Sequence, residues 1–162
     1  MTHEGGPIAP LEALLPAIGE VCIKYGVALA YLYGSQARGD IGPLSDVDIA
    51  VLFQPDIASS DRSDRLLDLI GELMTVFKRS DVFVADLVNA SPLLRHRVYR
   101  DGRLLYCADN RLRLKFMTEA LRDYEDTRPL RDLQWHYLRQ RIANNTVGRP
   151  SSIMAEKKEP YG

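Results

Sequence analysis

With 162 residues the chain has room for one domain and a modest extension, and hardly for a dedicated second domain. Its 21 Lys and Arg against 22 Asp and Glu leave a formal charge of −1, which argues against a general nucleic-acid coat or a polymerase-like role, because neutralising phosphates needs a net basic face. A composition of 46% hydrophobic and 27% charged residues excludes an intrinsically disordered chain.

Leu11, Leu14, Leu15, Ile18, Val21, Cys22 and Tyr25 recur at helical spacing and predict an amphipathic helix ending near Gly26. Val27 to Tyr33 reads as a strand, and the turn-forming segment from Gly34 to Ser45 reads as a loop holding one short helical turn. Asp46 to Phe53 reads as a second strand, entering with carboxylates and ending apolar. After a loop, Asp61 is expected to cap a helix carrying Leu66, Ile70, Leu73, Met74 and Phe77. Val82 to Val88 is a third predicted strand, Pro92 to Tyr99 a short helix, and Arg103 to Tyr106 a fourth strand. Helical patterns follow over Arg111 to Tyr124 and Leu130 to Asn144, separated by Pro129. Cys22 and Cys107 have no metal-site or disulfide-scaffold spacing, and His3, His96 and His136 form no metal motif. There is no long apolar run and no basic stretch leading into one near the N-terminus, so neither a membrane span nor a signal peptide is expected.

The first two strands are joined by a loop and are expected to pair antiparallel; the helical link after Phe53 suits a parallel crossover. The fold class expected is α/β (α+β), a small mixed sheet with helices packed mainly on one side.

Chemistry concentrates in Gly34-Ser35, ten intervening residues, then Asp46-Val47-Asp48. Strand alternation points Asp46 and Asp48 the same way, and two like charges leading into an apolar strand are relieved by a divalent cation. Oxygen donors suit Mg²⁺, which binds through one or two carboxylates plus substrate phosphates. Gly34 lets backbone N–H groups approach a phosphate, Ser35 offers a hydroxyl, and Arg38 lies near enough in sequence to neutralise a triphosphate or hold the loop. Strand, Gly-Ser, polar loop, Ser-Asp-x-Asp and apolar strand in that order are the equipment of phosphoryl or nucleotidyl transfer.

Tyr33-Gly34-Ser35-Gln36-Ala37-Arg38-Gly39 and Ser45-Asp46-Val47-Asp48-Ile49-Ala50-Val51 resemble the signature of the DNA-polymerase-beta-like nucleotidyltransferase superfamily. Ser80-Asp81-Val82, Asp86-Leu87, Ala90-Ser91-Pro92-Leu93-Leu94 and Gly102-Arg103-Leu104-Leu105-Tyr106 extend the likeness to its minimal members, the MntA-type antitoxins that pair with HEPN-domain toxin ribonucleases. The resemblance implies a nucleotidyltransferase fold over residues 8–107; the residue pattern beyond it predicts a helical extension over 108–145 packing on the domain or a partner, and a polar, flexible tail over 146–162. It also implies Mg²⁺ held by Asp46 and Asp48, ATP held by Gly34 and Ser35, and AMP transfer to a tyrosine hydroxyl of a HEPN toxin in a hetero-oligomer; Arg38 completes the expected nucleotide-binding set by its nearness in sequence. The expected setting is the cytoplasm, without membrane or stable nucleic-acid binding.

The superfamily carries a third carboxylate on a neighbouring strand. In Val82-Phe83-Val84-Ala85-Asp86-Leu87 the direct alignment puts Phe83 at that position. Asp86 is the tentative third catalytic carboxylate, with Asp81 as its rival. Phe83 also keeps open an antitoxin that acts by binding alone, and the small-molecule nucleotidyltransferases offer a third reading.

Overall fold

The computed structural model describes residues 10–39 and 45–144. The elements run α1 (Leu11–Tyr25), β1 (Val27–Tyr33), α2 (Gly34–Arg38), β2 (Val47–Phe53), α3 (Ser59–Phe77), β3 (Val82–Asp86), α4 (Pro92–Asp101), β4 (Arg103–Cys107), α5 (Asn110–Asp126) and α6 (Arg128–Ala143). The strands form one mixed sheet in the order β3-β2-β1-β4. β1 pairs antiparallel with both β2 and β4, and β2 pairs parallel with β3 through the α3 crossover. None of the described helices is long and apolar enough to cross a membrane.

The two faces of the sheet bury different sets. Val47, Ile49, Val51 and Phe53 of β2 join Ile18, Val21 and Cys22 of α1 and Leu69, Leu73 and Phe77 of α3 in the larger core. The alternate residues of the central strands, among them Tyr31 and Ala50, meet Val98 of α4 and Phe116 and Ala120 of α5 in a smaller one. α1 and α3 thus cover the face with the larger core, and α4 and α5 cover part of the other, so the helices lie on both sides of the sheet. The ring centroids of Tyr31 and Phe116 lie 5.9 Å apart, so α5 is stitched to the centre of the sheet.

Several boundaries depart from the sequence reading. α1 ends where predicted, with Gly26 in the left-handed conformation, and runs through Pro16. α3 begins at Ser59, two residues before Asp61, which lies in its first turn; there its carboxylate suits the positive end of the helix without capping it. β3 stops at Asp86 and not at Val88, because the Asp86 carboxylate turns the chain: it accepts from Val88 N–H at 3.0 Å and from Asn89 Nδ2 at 2.9 Å.

The described part of the chain divides into two compact units, with the boundary at Glu125. The first holds the sheet, α1 to α4 and most of α5. In the second, α6 begins with Pro129 in its first turn and exposes Leu130, Leu133, Trp135, Tyr137, Leu138 and Ile142. The segment expected as a tail, 146–162, lies outside the described residues.

Candidate active site

The end of β1 and the start of β2 are built against each other. Tyr33 pairs with Asp48 across the antiparallel ladder, and the chain then turns at Gly34 with φ +72°. A Cβ on Gly34 would come closer than 3.0 Å to Asp48 Oδ2, a separation real Cβ atoms essentially never show. Glycine is required here twice over, by the left-handed backbone and by the carboxylate lying on its α-carbon. Ser35 follows in the first turn of α2, half-buried, and Arg38 closes that helix on the surface.

Asp46 is exposed just before β2, and Asp48 is half-buried within it. Burial pushes the Asp48 carboxyl above the usual carboxylate range, the charge of Asp46 adds to the rise, and Arg38 opposes it. Burial also raises the Tyr33 phenol, with a smaller contribution from Asp48. The structure therefore brings Gly34, Arg38, Asp46 and Asp48 into one electrostatic neighbourhood, with Ser35 next in the chain. Two carboxylates at one strand end, one of them partly desolvated, form a donor set that fits a hard divalent cation.

Asp46 is positioned from both sides. The Ser45 carbonyl before it accepts from Gln36 Nε2 at 3.3 Å and from Arg79 Nη2 at 2.8 Å. Arg79 is 8% exposed, and no sequence motif singles it out. A charged residue between the third helical run and the third strand reads as surface; only the fold shows that it reaches under the loop before β2.

Arg79 also engages Asp81, one of the two candidates for the third carboxylate. Its Nε donates to Oδ1 at 2.7 Å and its Nη2 to Oδ2 at 2.5 Å, so both carboxylate oxygens are engaged by one guanidinium. This holds the Asp81 carboxyl below the usual carboxylate range, a poor setting for a proton acceptor. Asp81 is therefore a structural anchor, and its stabilising effect is present above the unfolded carboxyl value of about 3.9 and lost as pH falls through the lower folded value. Asp81→Asn is expected to cost about 1–3 kcal/mol at pH 7, and the gap from the wild type should close at strongly acid pH in urea titrations.

Asp86, the other candidate, is corrected by the register. The β2–β3 ladder pairs Val47 with Val82, Asp48 with Phe83 and Val51 with Asp86, without a bulge. Val51 belongs to the larger core, so Asp86 and Asp48 lie on opposite faces of the sheet, and the Asp86 oxygens are engaged in the turn described above. The residue beside Asp48 on its own face is Phe83, as the alignment anticipates. Among the described residues no group of three or more His, Cys, Asp or Glu side chains gathers to hold a metal.

The family model for polymerase beta nucleotidyltransferases matches residues 17–111, more than half of the chain. The chain belongs to that nucleotidyltransferase family. The match takes in all four strands and both carboxylates of the site. Among solved structures, this nucleotidyltransferase is similar to a chain of a toxin–antitoxin crystal structure with AMP-PNP, at 24% identity and TM-score 0.63, covering 76% of this chain and 97% of that one. It is similar also to a chain of the MntA–HpeT complex mutated from Asp to Glu at two positions two residues apart, at 22% identity and TM-score 0.63, covering 76% and 97%. A third likeness is to a chain of the tri-AMPylated HEPN toxin of Shewanella oneidensis in complex with MNT antitoxin, at 22% identity and TM-score 0.58, covering 79% and 98%. At these identities the likenesses show the nucleotidyltransferase fold. No curated protein matches the sequence.

Proposed function

We propose that the chain is an antitoxin that neutralises a HEPN-domain ribonuclease by transferring AMP from ATP to a tyrosine hydroxyl of that partner, with Mg²⁺ as cofactor, in the cytoplasm. The observation that carries the reading is the seating of the Asp48 carboxylate on Gly34, with Asp46 and Arg38 in electrostatic reach. That joins a carboxylate pair to a Gly-Ser turn at one end of the sheet. The fold-level neighbours with AMP-PNP and with an AMPylated HEPN toxin support the choice of nucleotide and partner.

In this reading Asp46 and Asp48 hold Mg²⁺, which when bound neutralises charge on the phosphates and on departing pyrophosphate. Gly34 and Ser35 receive the triphosphate through backbone N–H groups and a hydroxyl, and Arg38 adds a positive charge at the surface end of the turn. Arg79 and Gln36 keep Asp46 in place by fixing the carbonyl before it. Their work is pre-organisation: the charges that meet the phosphates are set before substrate arrives.

Phe83 beside Asp48 favours one rival, neutralisation by binding alone. Incubating the chain with labelled ATP, Mg²⁺ and a HEPN-domain ribonuclease that it binds distinguishes the two. AMP transfer predicts label on a toxin tyrosine and loss of its ribonuclease activity together. Ribonuclease inhibition in a stable complex that acquires no label would overturn transfer in favour of binding.

A further inference from the structure

Asp48 is flanked by aromatic residues on both sides. Tyr33 is its partner on β1 and Phe83 its partner on β3, which makes a row Phe83–Asp48–Tyr33 across one face of the sheet. The neighbours of Phe83 along the strand, Val82 and Val84, pack with the larger core, so Phe83 points to the face of Asp48. β3 is the edge strand, and Phe83 is 57% exposed. More than half exposed, the Phe83 ring is accessible beside the Asp48 carboxylate and open to stacking by a ring that arrives from outside.

The two ends of the row differ. Gly34 and Ser35, the groups assigned to phosphates, follow Tyr33 on the β1 side of Asp48. Phe83 lies on the other side, about 4.8 Å away at the spacing of adjacent strands. With the α-phosphate over the carboxylates, the group next to Phe83 is the acceptor. Stacked or edge-on aromatic pairs have ring centroids about 4.5–7 Å apart, which matches the reach from Phe83 to a ring whose hydroxyl stands over Asp48.

We propose that Phe83 is the platform on which the acceptor's aromatic ring lies, and that it makes the site selective for a phenolic over an aliphatic hydroxyl. This rests on the AMP-transfer reading and names its acceptor specificity. In the step, the phenolic oxygen forms a bond to the α-phosphorus of ATP. The bond from that phosphorus to the bridging oxygen breaks, pyrophosphate leaves with the electron pair, and the phenolic proton passes to water at the open sheet edge. Phe83 cannot take that proton. A phenol, with its ordinary value of about 10, is far more acidic than an aliphatic alcohol and depends least on a base at this position.

Two measurements test the proposal on the full chain. In NMR titrations of the protein loaded with Mg²⁺ and α,β-methylene-ATP, whose α–β link cannot be cleaved, and carrying labelled phenylalanine, N-acetyltyrosinamide is expected to shift the Phe83 ring signals, identified by their loss in Phe83→Leu. N-acetylserinamide at equal concentration should leave them in place. Ring signals that move with α,β-methylene-ATP alone and respond to neither amide overturn the proposal, because Phe83 would then face the nucleotide. In steady-state transfer to the HEPN partner, Phe83→Ala is expected to raise the acceptor KM at least tenfold while the ATP KM stays within twofold. An equal rise in both, or no change in the acceptor KM, overturns it, as does a Phe83→Asp variant that keeps the full wild-type preference for tyrosine over serine acceptors. If the wild type labels no tyrosine at all, the AMP-transfer reading fails, and the NMR arm still decides the role of Phe83.

Discussion

Replacing Asp46 and Asp48 together by asparagine is expected to reduce Mg²⁺-dependent AMP transfer by at least about 10³-fold, since charge stabilisation by a bound metal supplies several kcal/mol of a barrier in which 1.36 kcal/mol is tenfold. The same change should stabilise the metal-free protein. Burial and the neighbouring Asp46 charge raise the Asp48 carboxyl above its usual value, so its ionised form opposes folding at neutral pH. The sign follows from linkage: the folded state holds the proton more tightly, so stability falls as pH rises through the raised value. Asp48→Asn removes that penalty, and its advantage over the wild type in thermal melts without metal should be largest near neutral pH and shrink on acidification. Mg²⁺ should raise the wild-type Tm and EDTA reverse it, with little response in the double variant. Unchanged labelling by the double variant would remove these residues from the mechanism.

Gly34→Ala is the second large effect. The left-handed backbone at φ +72° costs an L-residue about 1–2 kcal/mol, and the new methyl group collides with the Asp48 carboxylate. Either Asp48 turns away or the β1–α2 junction shifts. Transfer activity should fall at least about 10²-fold, in keeping with the cost of misplacing a reacting group by about 1 Å. Stability in urea should drop by about 1–2 kcal/mol from the backbone alone, and by more if the carboxylate does not move away. Gly39 provides the control. It is also left-handed, at φ +78°, but an added Cβ meets nothing within 4 Å, so Gly39→Ala should lose comparable backbone stability while keeping most activity.

Much of the site is legible in the chain because it is local. Gly34-Ser35 and Asp46-x-Asp48 are set by strand alternation and by a turn, both of which act over a few residues. The antiparallel β1–β2 pair also follows from a connection too short for a crossover. The same local logic fails at α3, where a good capping residue at Asp61 is passed over for a start two residues earlier. A helix end is settled by what its apolar face packs against, here Leu69, Leu73 and Phe77, and not by the cap alone.

The sequence by itself determined a carboxylate pair two residues apart, the Gly-Ser turn that precedes it and an apolar Phe83 where the resemblance leads one to expect an acid. Only the tertiary structure decided among the remaining acids. The unbroken β2–β3 register sends Asp86 to the far face, and Arg79, brought beneath Ser45 by the α3 crossover, engages both oxygens of Asp81. The physical reason is range. Side-chain direction within a strand is fixed by its neighbours, whereas the face Asp86 takes relative to Asp48 and the seat of Arg79 against the Ser45 carbonyl depend on pairings between segments more than thirty residues apart. No local periodicity records those pairings.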